Sequence, residues 1–178
     1  CENSLERCYH CKKVIFGTFI KYINEFGLKN LVDGSNYDDL SDFRPGKKAL
    51  EEFGVKSPFL DSRMTKNDIR EISKELGLTT WNKEAMACLA TRISYDEPIT
   101  VEKLKMIEKA EEYLRELGFT YIRARLSGNH LRIESSTEEL TKFFIDDIRR
   151  SVIEKMKEIG FKYISIDMEG YRMGSMND

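Results

Sequence analysis

No apolar run approaches the ~20 residues that a helix needs to cross a bilayer, and no signal peptide opens the chain. A membrane-spanning or exported protein is not expected, and the expected setting is the cytoplasm. An excess of one charge is missing too. Lys and Arg number 29 against 31 Asp and Glu, a formal net charge of -2 over 178 residues. No bulk field therefore recruits nucleic acid or an anionic membrane. Histidine is scarce, at two residues, His10 and His130. A His-based catalytic metal site or a Ser-His-Asp set is excluded on that ground. Neither Gly-x-x-x-x-Gly-Lys-Ser/Thr nor Gly-x-Gly-x-x-Gly occurs, and the stretch 170–175 is too weak a glycine pattern to count. There is no internal repeat and no low-complexity tract. What remains is 40% hydrophobic and 34% charged residues, the balance of a globular chain long enough to bury a core as one domain or two small ones.

Cysteine is also sparse, at four residues, but three of them carry most of the information. Cys8 and Cys11 stand in Arg7-Cys8-Tyr9-His10-Cys11-Lys12 at the opening of a helical pattern. That spacing puts both sulfurs on one side of the first turn, where unpaired N–H groups favour thiolates. Cys88 lies far along the chain in Met86-Ala87-Cys88-Leu89-Ala90-Thr91-Arg92. Three thiols do not close as a set of disulfides, and a reducing compartment disfavours disulfides anyway. They suit a soft metal or a [4Fe–4S] cluster that keeps one iron open. Arg92 is placed to steady a Cys88 thiolate or a bound anion. Structural zinc, with His10 as a further ligand, and a redox pair stay open as alternatives. Cys1 has no motif around it and reads as a bystander.

Periodicity supplies the elements. Val14, Ile15, Phe19, Tyr22, Ile23 and Phe26 recur at helical spacing, with Gly27 as C-cap. Residues 28–32 read as a buried strand releasing a polar loop at its C-terminal end, where open α/β sheets place ligands. Arg44-Pro45-Gly46 marks a turn. Thr65 and Asp68 cap a helix with an Ile69, Ile72, Leu76 stripe. From Pro98 a second region begins. Thr100 opens a helix that turns Leu104, Ile107, Ala110, Leu114 and Leu117 inward. Residues 121–126 and 131–134 flank Ser127-Gly128-Asn129-His130 as a β-hairpin. Ser136 and Glu139 form a capping-box signature for one long helix to about Ile159, and residues 161–168 read as a last strand. The expected class is α/β.

Two further groups of side chains have chemistry available. In the acidic loop, Gly34 permits a tight turn, Asn36 tolerates left-handed geometry, and Asp33, Asp38 and Asp39 suit Mg²⁺ or the polar edges of a nucleotide. A solvated turn is the plainer reading. In the hairpin, alternation puts Ile122, Ala124 and Leu126 on one face and Arg123 and Arg125 on the other, joined by Arg132 and Glu134. Converging guanidinium groups suit a phosphate or carboxylate, and an Arg–Glu cross-strand pair is the plainer reading. Glu111 and Glu112 read as exposed helix residues.

Taken together, the motifs resemble a family. Arg7-Cys8-Tyr9-x-Cys11-Lys12, Asp33-Gly34-Ser35-Asn36-x-Asp38-Asp39, Arg44-Pro45-Gly46, Ser57-Pro58, Thr65-Lys66-x-x-Ile69-Arg70, Leu76-Gly77-Leu78-x-Thr80-Trp81-x-Lys83 and Ala87-Cys88-Leu89-Ala90-Thr91-Arg92 occur in order. Ile107-Glu108-x-Ala110-Glu111, Arg123-x-Arg125, Arg132-Ile133-Glu134 and the segment from Asp167 to Asn177 follow. The chain resembles, over essentially its whole length, the LarE-type ATP-dependent sacrificial sulfur transferases, which are PP-loop enzymes.

The resemblance implies a PP-loop, Rossmann-like domain of the adenine nucleotide alpha hydrolase type over residues 1–95, incomplete at its N-terminus. A smaller α+β domain for substrate binding and oligomerisation would follow over residues 96–178. It implies adenylation, with ATP and Mg²⁺, of a carboxylate of pyridinium-3,5-biscarboxylic acid mononucleotide, then conversion to a thiocarboxylate during nickel-pincer nucleotide synthesis. Sulfur would come from a sacrificed cysteine at the Cys88 position, or from a sulfur donor or sulfide at a [4Fe–4S] cluster on Cys8, Cys11 and Cys88. Asp33, Gly34, Asn36 and Asp39 would line the nucleotide. Arg123 and Arg125 would hold the substrate phosphate, with Glu111 and Arg92 near it. A homo-oligomer is implied, with no membrane or nucleic-acid partner. Cluster-dependent thiolation of transfer RNA and a non-enzymatic zinc-stabilised module are the alternatives. The family's Ser-Gly-Gly-x-Asp-Ser loop lies upstream of the Cys-x-x-Cys pair and is not in these 178 residues. The chain thus resembles the C-terminal two-thirds of a longer enzyme, and adenylation by it alone is not expected.

Overall fold

A computed structural model describes residues 3–41, 44–83 and 86–172. Cys1 and residues 173–178 lie outside them, and with them the end of the 170–175 glycine stretch. The chain forms two compact units, one of Leu5–Met86 and the other of Cys1–Ser4 with Ala87–Asp178. Among the described residues no helix is long and apolar enough to cross a membrane.

The first unit is helical with one short strand contact. Helix α1 spans Arg7–Glu25, and Gly27 follows at φ 64°, a left-handed conformation suited to glycine after a helix end. Short helices α2 (Lys47–Glu52) and α3 (Pro58–Asp61) follow, then α4 (Lys66–Glu75). The capping box at α4 is as expected. The Thr65 hydroxyl accepts from the Asp68 backbone N–H, and the Asp68 carboxylate accepts from Thr65. Two sequence expectations fail here. Residues 28–32 do not form a buried strand. They make a single parallel bridge, Val32 with Lys56, and Leu28 and Val32 are 61% and 56% exposed. Nor does the α1 stripe form a core. The helix buries Tyr9 and Phe16, while Val14, Ile15, Phe19, Tyr22 and Phe26 stay exposed. The buried cluster is Tyr9, Phe16, Ala49 and Leu50, where α1 meets α2. On α4, Ile72 and Leu76 are exposed as well.

The second unit has the larger core. Helix α5 (Val101–Glu116) starts at Thr100, whose side chain accepts from the Lys103 N–H. Its residues Ile107, Ala110 and Leu114 are fully buried. The hairpin forms as expected, from β1 (Arg123–Ser127) and β2 (His130–Glu134), antiparallel, with Ala124 opposite Ile133 and Arg125 opposite Arg132. Strand β3 (Tyr163–Ile166) lies parallel to β2. A parallel neighbour requires a crossover, which α6 (Asp146–Ile159) provides. The single long helix expected from Ser136 is instead a 3₁₀ segment, Thr137–Phe144, followed by α6. The Ser136 side chain makes no cap bond. Glu139 turns away and accepts both contacts from the Thr120 N–H at 3.1 Å, so the capping-box pattern served another element. Ile122, Leu126, Leu131, Phe119, Phe143, Met156 and Phe161 complete one continuous core.

Candidate functional site

The second unit gathers Cys88, Arg92, Glu111, Arg125 and Glu134 into one polar network. Cys88 directly precedes a 3₁₀ turn, Leu89–Arg92. Its thiol is free and exposed. Its carbonyl is the anchor of the turn. That oxygen accepts from the Thr91 N–H at 2.9 Å, the Thr91 hydroxyl at 2.7 Å and Arg92 Nη1 at 3.4 Å. Arg92 is 3% exposed and also donates to the Ala87 carbonyl. It therefore locks the Cys88 segment rather than offering a guanidinium to solvent.

Its charge partner is Glu111, which is 1% exposed, against the expectation of an exposed helix residue. Arg92 Nε donates to Glu111 Oε1 at 2.8 Å, Arg115 Nη2 donates to Oε2 at 2.7 Å, and the Ala124 N–H donates to Oε1 at 3.1 Å. A buried carboxylate is tolerable only with such partners. Glu111 thus joins the Cys88 turn to α5 and β1. Helical spacing could not reveal this, because its partners come from distant segments.

The arginine face splits in two. Arg125 is 8% exposed; it donates to Glu134 at 2.9 Å and to the Thr91 carbonyl at 3.0 Å. Arg132 reaches Glu134 at 3.1 Å and Asp167 at 3.5 Å. Arg125 and Glu134 thus make the cross-strand pair of the plainer reading, while Arg132 pairs with Glu134 along its own strand. Arg123 differs: it is half-buried, donates to the Ile122 carbonyl and stacks over Tyr171 with 4.9 Å to the ring centroid. The Tyr171 segment is fixed by Gly170. At φ 74°, Gly170 brings its backbone so close that an added Cβ would lie 2.8 Å from the Ser135 carbonyl. The Tyr171 N–H donates to that same oxygen at 2.7 Å.

The first unit holds the other predicted residues. Cys8 and Cys11 are exposed, free thiols on the first turn of α1. Tyr9 between them points inward and donates to Glu52 at 2.8 Å. Within either unit, no three His, Cys, Asp or Glu side chains among the described residues gather closely enough to hold a metal ion. The acidic loop turns without left-handed residues, since neither Gly34 nor Asn36 has a positive φ. Side chains shape it instead. Asp33 accepts from the Ser35 N–H and hydroxyl and from the Ser57 hydroxyl at 2.6 Å. Burial pushes the Asp33 carboxyl up, but the Ser35 and Ser57 hydrogen bonds outweigh it and hold the group below its ordinary value. Asp38 accepts from the Lys66 N–H and Asn36 accepts from the Asp38 N–H. Asp39 pairs with Arg44 at 2.8 Å and accepts from the Asn36 N–H. Beside this loop lies a cavity of about 360 Å³ lined among others by Lys12, Ser35, Asp39, Arg44, Lys47 and Ser57. Ser57 and Lys12 were visible in motifs but not as site residues; Lys47 and Lys56 carried no sequence signal.

With this geometry in hand, known proteins place the chain in context. It is 33% identical over 176 residues to pyridinium-3,5-bisthiocarboxylic acid mononucleotide synthase of Lactiplantibacillus plantarum, covering 99% of this chain and 63% of that protein. That relative is a biosynthetic enzyme. The chain is also 39% identical over 175 residues to an uncharacterised protein of Synechocystis, covering 98% of this chain and 65% of the relative. An uncharacterised protein of Methanocaldococcus jannaschii is 42% identical over 171 residues, with 96% and 66% covered. The chain thus spans just under two thirds of the length of these relatives. No family model matches it.

Proposed function

We propose that this chain is the sulfur-delivering part of an ATP-dependent sulfur transferase that makes the thiocarboxylate of a pyridinium mononucleotide on the way to a nickel-pincer nucleotide. The observation that carries the reading is the likeness to the synthase along 99% of the chain. An exposed Cys88 thiol on a rigidly anchored turn supports it.

In this reaction a substrate carboxylate oxygen attacks the α-phosphorus of ATP, and diphosphate leaves. Sulfur then attacks the acyl carbon of the adenylate, and AMP leaves with the former carboxylate oxygen. If Cys88 is the attacking group, a thioester forms. Loss of the Cys88 Cα proton and cleavage of its Cβ–Sγ bond then release the thiocarboxylate and leave dehydroalanine. The network beneath Cys88 serves this by holding the backbone still while Sγ moves. Arg123, which stacks on Tyr171, is the residue to which this reading gives the mononucleotide phosphate. Arg125 acts through Thr91 and Glu134 as a positioning residue. The acidic loop belongs to the nucleotide side, with Mg²⁺ as the companion of ATP.

Cys8, Cys11 and Cys88 have the soft, free thiols that a [4Fe–4S] cluster takes, and these three residues would hold it. When bound, such a cluster would supply sulfide at an iron that has no protein ligand. Iron, sulfide and zinc analysis after anaerobic purification and reconstitution, on wild type and Cys88→Ala, tests the assignment. About four irons per chain, lost in the variant, are expected for the cluster route. Iron-free protein whose mass falls by about 34 Da after turnover places the sulfur in Cys88 itself. Zinc alone, with no mass loss, overturns the sulfur-transfer reading.

A further inference from the structure

Tyr9 stands between the two thiols of the Cys-x-x-Cys pair, and the roles above leave it unused. At about 100° per residue round a helix, Phe16 lies only about 20° from Tyr9. These are the two residues that α1 buries. In the same frame Cys8 lies about 100° and Cys11 about 160° from Tyr9, in one rotational sense. The two thiols are therefore about 60° apart on successive turns, and both are exposed. The residue that points inward sets the direction in which the pair faces outward.

The usual local fastenings of a helix start are missing here. Glu6 makes no side-chain cap bond, and the first turn of α1 has no acidic residue. A side-chain cap would satisfy one of the unpaired N–H groups and hold the turn. A tie comes from α2 instead. The Tyr9 hydroxyl donates to both Glu52 carboxylate oxygens, at 2.8 and 3.0 Å. Such a charge-assisted bond is stronger than a neutral one. Lys13 donates to the same hydroxyl at 3.2 Å and reaches Glu52 at 3.6 Å. The Lys13 and Lys48 ammonium groups lie 5.1 and 5.0 Å from the centroid of the ring, which is 9% exposed. Lys48 and Glu52 both belong to α2, so one helix grips the ring and the hydroxyl together. At the start of α2, a Cβ added to Gly46 would lie 3.6 Å from the Cys8 carbonyl oxygen, which sets the α2 N-terminus against the backbone of the pair.

We propose that Tyr9 is the positioning residue of the Cys8–Cys11 pair. Bound to Glu52, it fixes the first turn of α1 so that both thiols are presented together to a ligand that needs two. Use of that presentation for a cluster rests on the function proposed above; the presentation itself does not.

A dithiol probe tests this. Phenylarsine oxide binds two thiols through its arsenic and releases one water, with no change in oxidation state, so it reports whether both sulfurs reach one atom. Calorimetry is done on the chain with Cys1→Ser and Cys88→Ser, which leaves the pair alone. Adding Cys8→Ser or Cys11→Ser gives the single-thiol baseline. Tyr9→Phe keeps the ring and removes the hydroxyl. It is expected to weaken capture about tenfold, the loss of one hydrogen bond to a charged group. Glu52→Ala is expected to cost about as much and to add little to Tyr9→Phe, since both remove the same bond. Glu52→Gln keeps an acceptor and should recover part of the loss. Phe16→Leu thins the same buried cluster without touching the bond, so it should lower the urea midpoint and leave capture unchanged. Unchanged capture in Tyr9→Phe overturns the proposal. An equal loss from Phe16→Leu overturns it too, since general stability would then explain the effect. Full additivity of Tyr9→Phe and Glu52→Ala, or capture by the pair no tighter than the single-thiol baseline, does the same. The probe carries neither iron nor transferable sulfur, so this outcome leaves the iron and mass analysis untouched and the two proposals fail separately.

Discussion

Glu111 is held by two guanidinium groups and a backbone N–H, and among the described residues Arg92 pairs with no other carboxylate. Glu111→Ala strands a buried cation and is expected to destabilise the second unit by about 3–5 kcal/mol, measured by urea unfolding. Arg115 is 44% exposed, and Arg115→Ala is expected to change stability by no more than about 1 kcal/mol. Asp33 gives a pH test. Its folded pKa is lowered, so its contribution is full above the unfolded value of about 3.9 and is lost as pH falls through the folded value. Asp33→Asn should therefore lower the urea midpoint most near neutral pH, and the gap to wild type should close below about pH 4. Sequence marked Asp33 and Cys88 because chemistry-bearing residues at a turn stand out locally. It could not show that Glu111 is buried or that Arg125 is spoken for, because those facts depend on partners on other elements.

Elements legible in the sequence are those whose signals are local. Helix α5, the hairpin and the Thr65 capping box all follow from spacing and caps. The reading failed where a local pattern had a tertiary competitor. Glu139 has the right spacing for a box with Ser136, yet its carboxylate satisfies the Thr120 N–H across the fold. The α1 stripe has helical periodicity, yet periodicity says only that residues share a face, not that anything covers it. Gly170→Ala belongs to this scale. Its positive φ and its approach to Ser135 predict destabilisation of about 1–3 kcal/mol and loss of the Tyr171 stack under Arg123. A mononucleotide titration of that variant should show weakened binding if Arg123 receives the phosphate, and unchanged binding would count against that role. Thr65→Ala removes a cap worth about 1 kcal/mol. Since α4 buries no residue, the effect should appear as faster amide exchange in Lys66–Glu75 rather than as a lower global stability.

At the scale of the molecule, the two units differ in how much they bury. The second has a continuous core running from Ile93 to Phe161. The first rests on Tyr9, Phe16, Ala49 and Leu50 with three partly buried neighbours. Hydrogen exchange is expected to protect β1, β2 and β3 most, with α1 and α4 opening at lower free energy. Denaturation followed by probes in each unit should show the first losing structure earlier. Coincident transitions would mean that the units unfold as one.

The turn at Cys88 is fastened by its carbonyl oxygen, while the thiol extends to solvent. Side-chain identity and local fold are therefore decoupled at this position. Removing the sulfur, by mutation or by the sacrificial step proposed above, leaves every fastening bond in place. A molecule that has surrendered its sulfur would persist as folded protein, indistinguishable from a fresh one by stability and recognisable only by mass. Turnover in a cell would then be limited by resynthesis of the chain or by refilling of a cluster, and the abundance of folded protein would overstate the abundance of active protein.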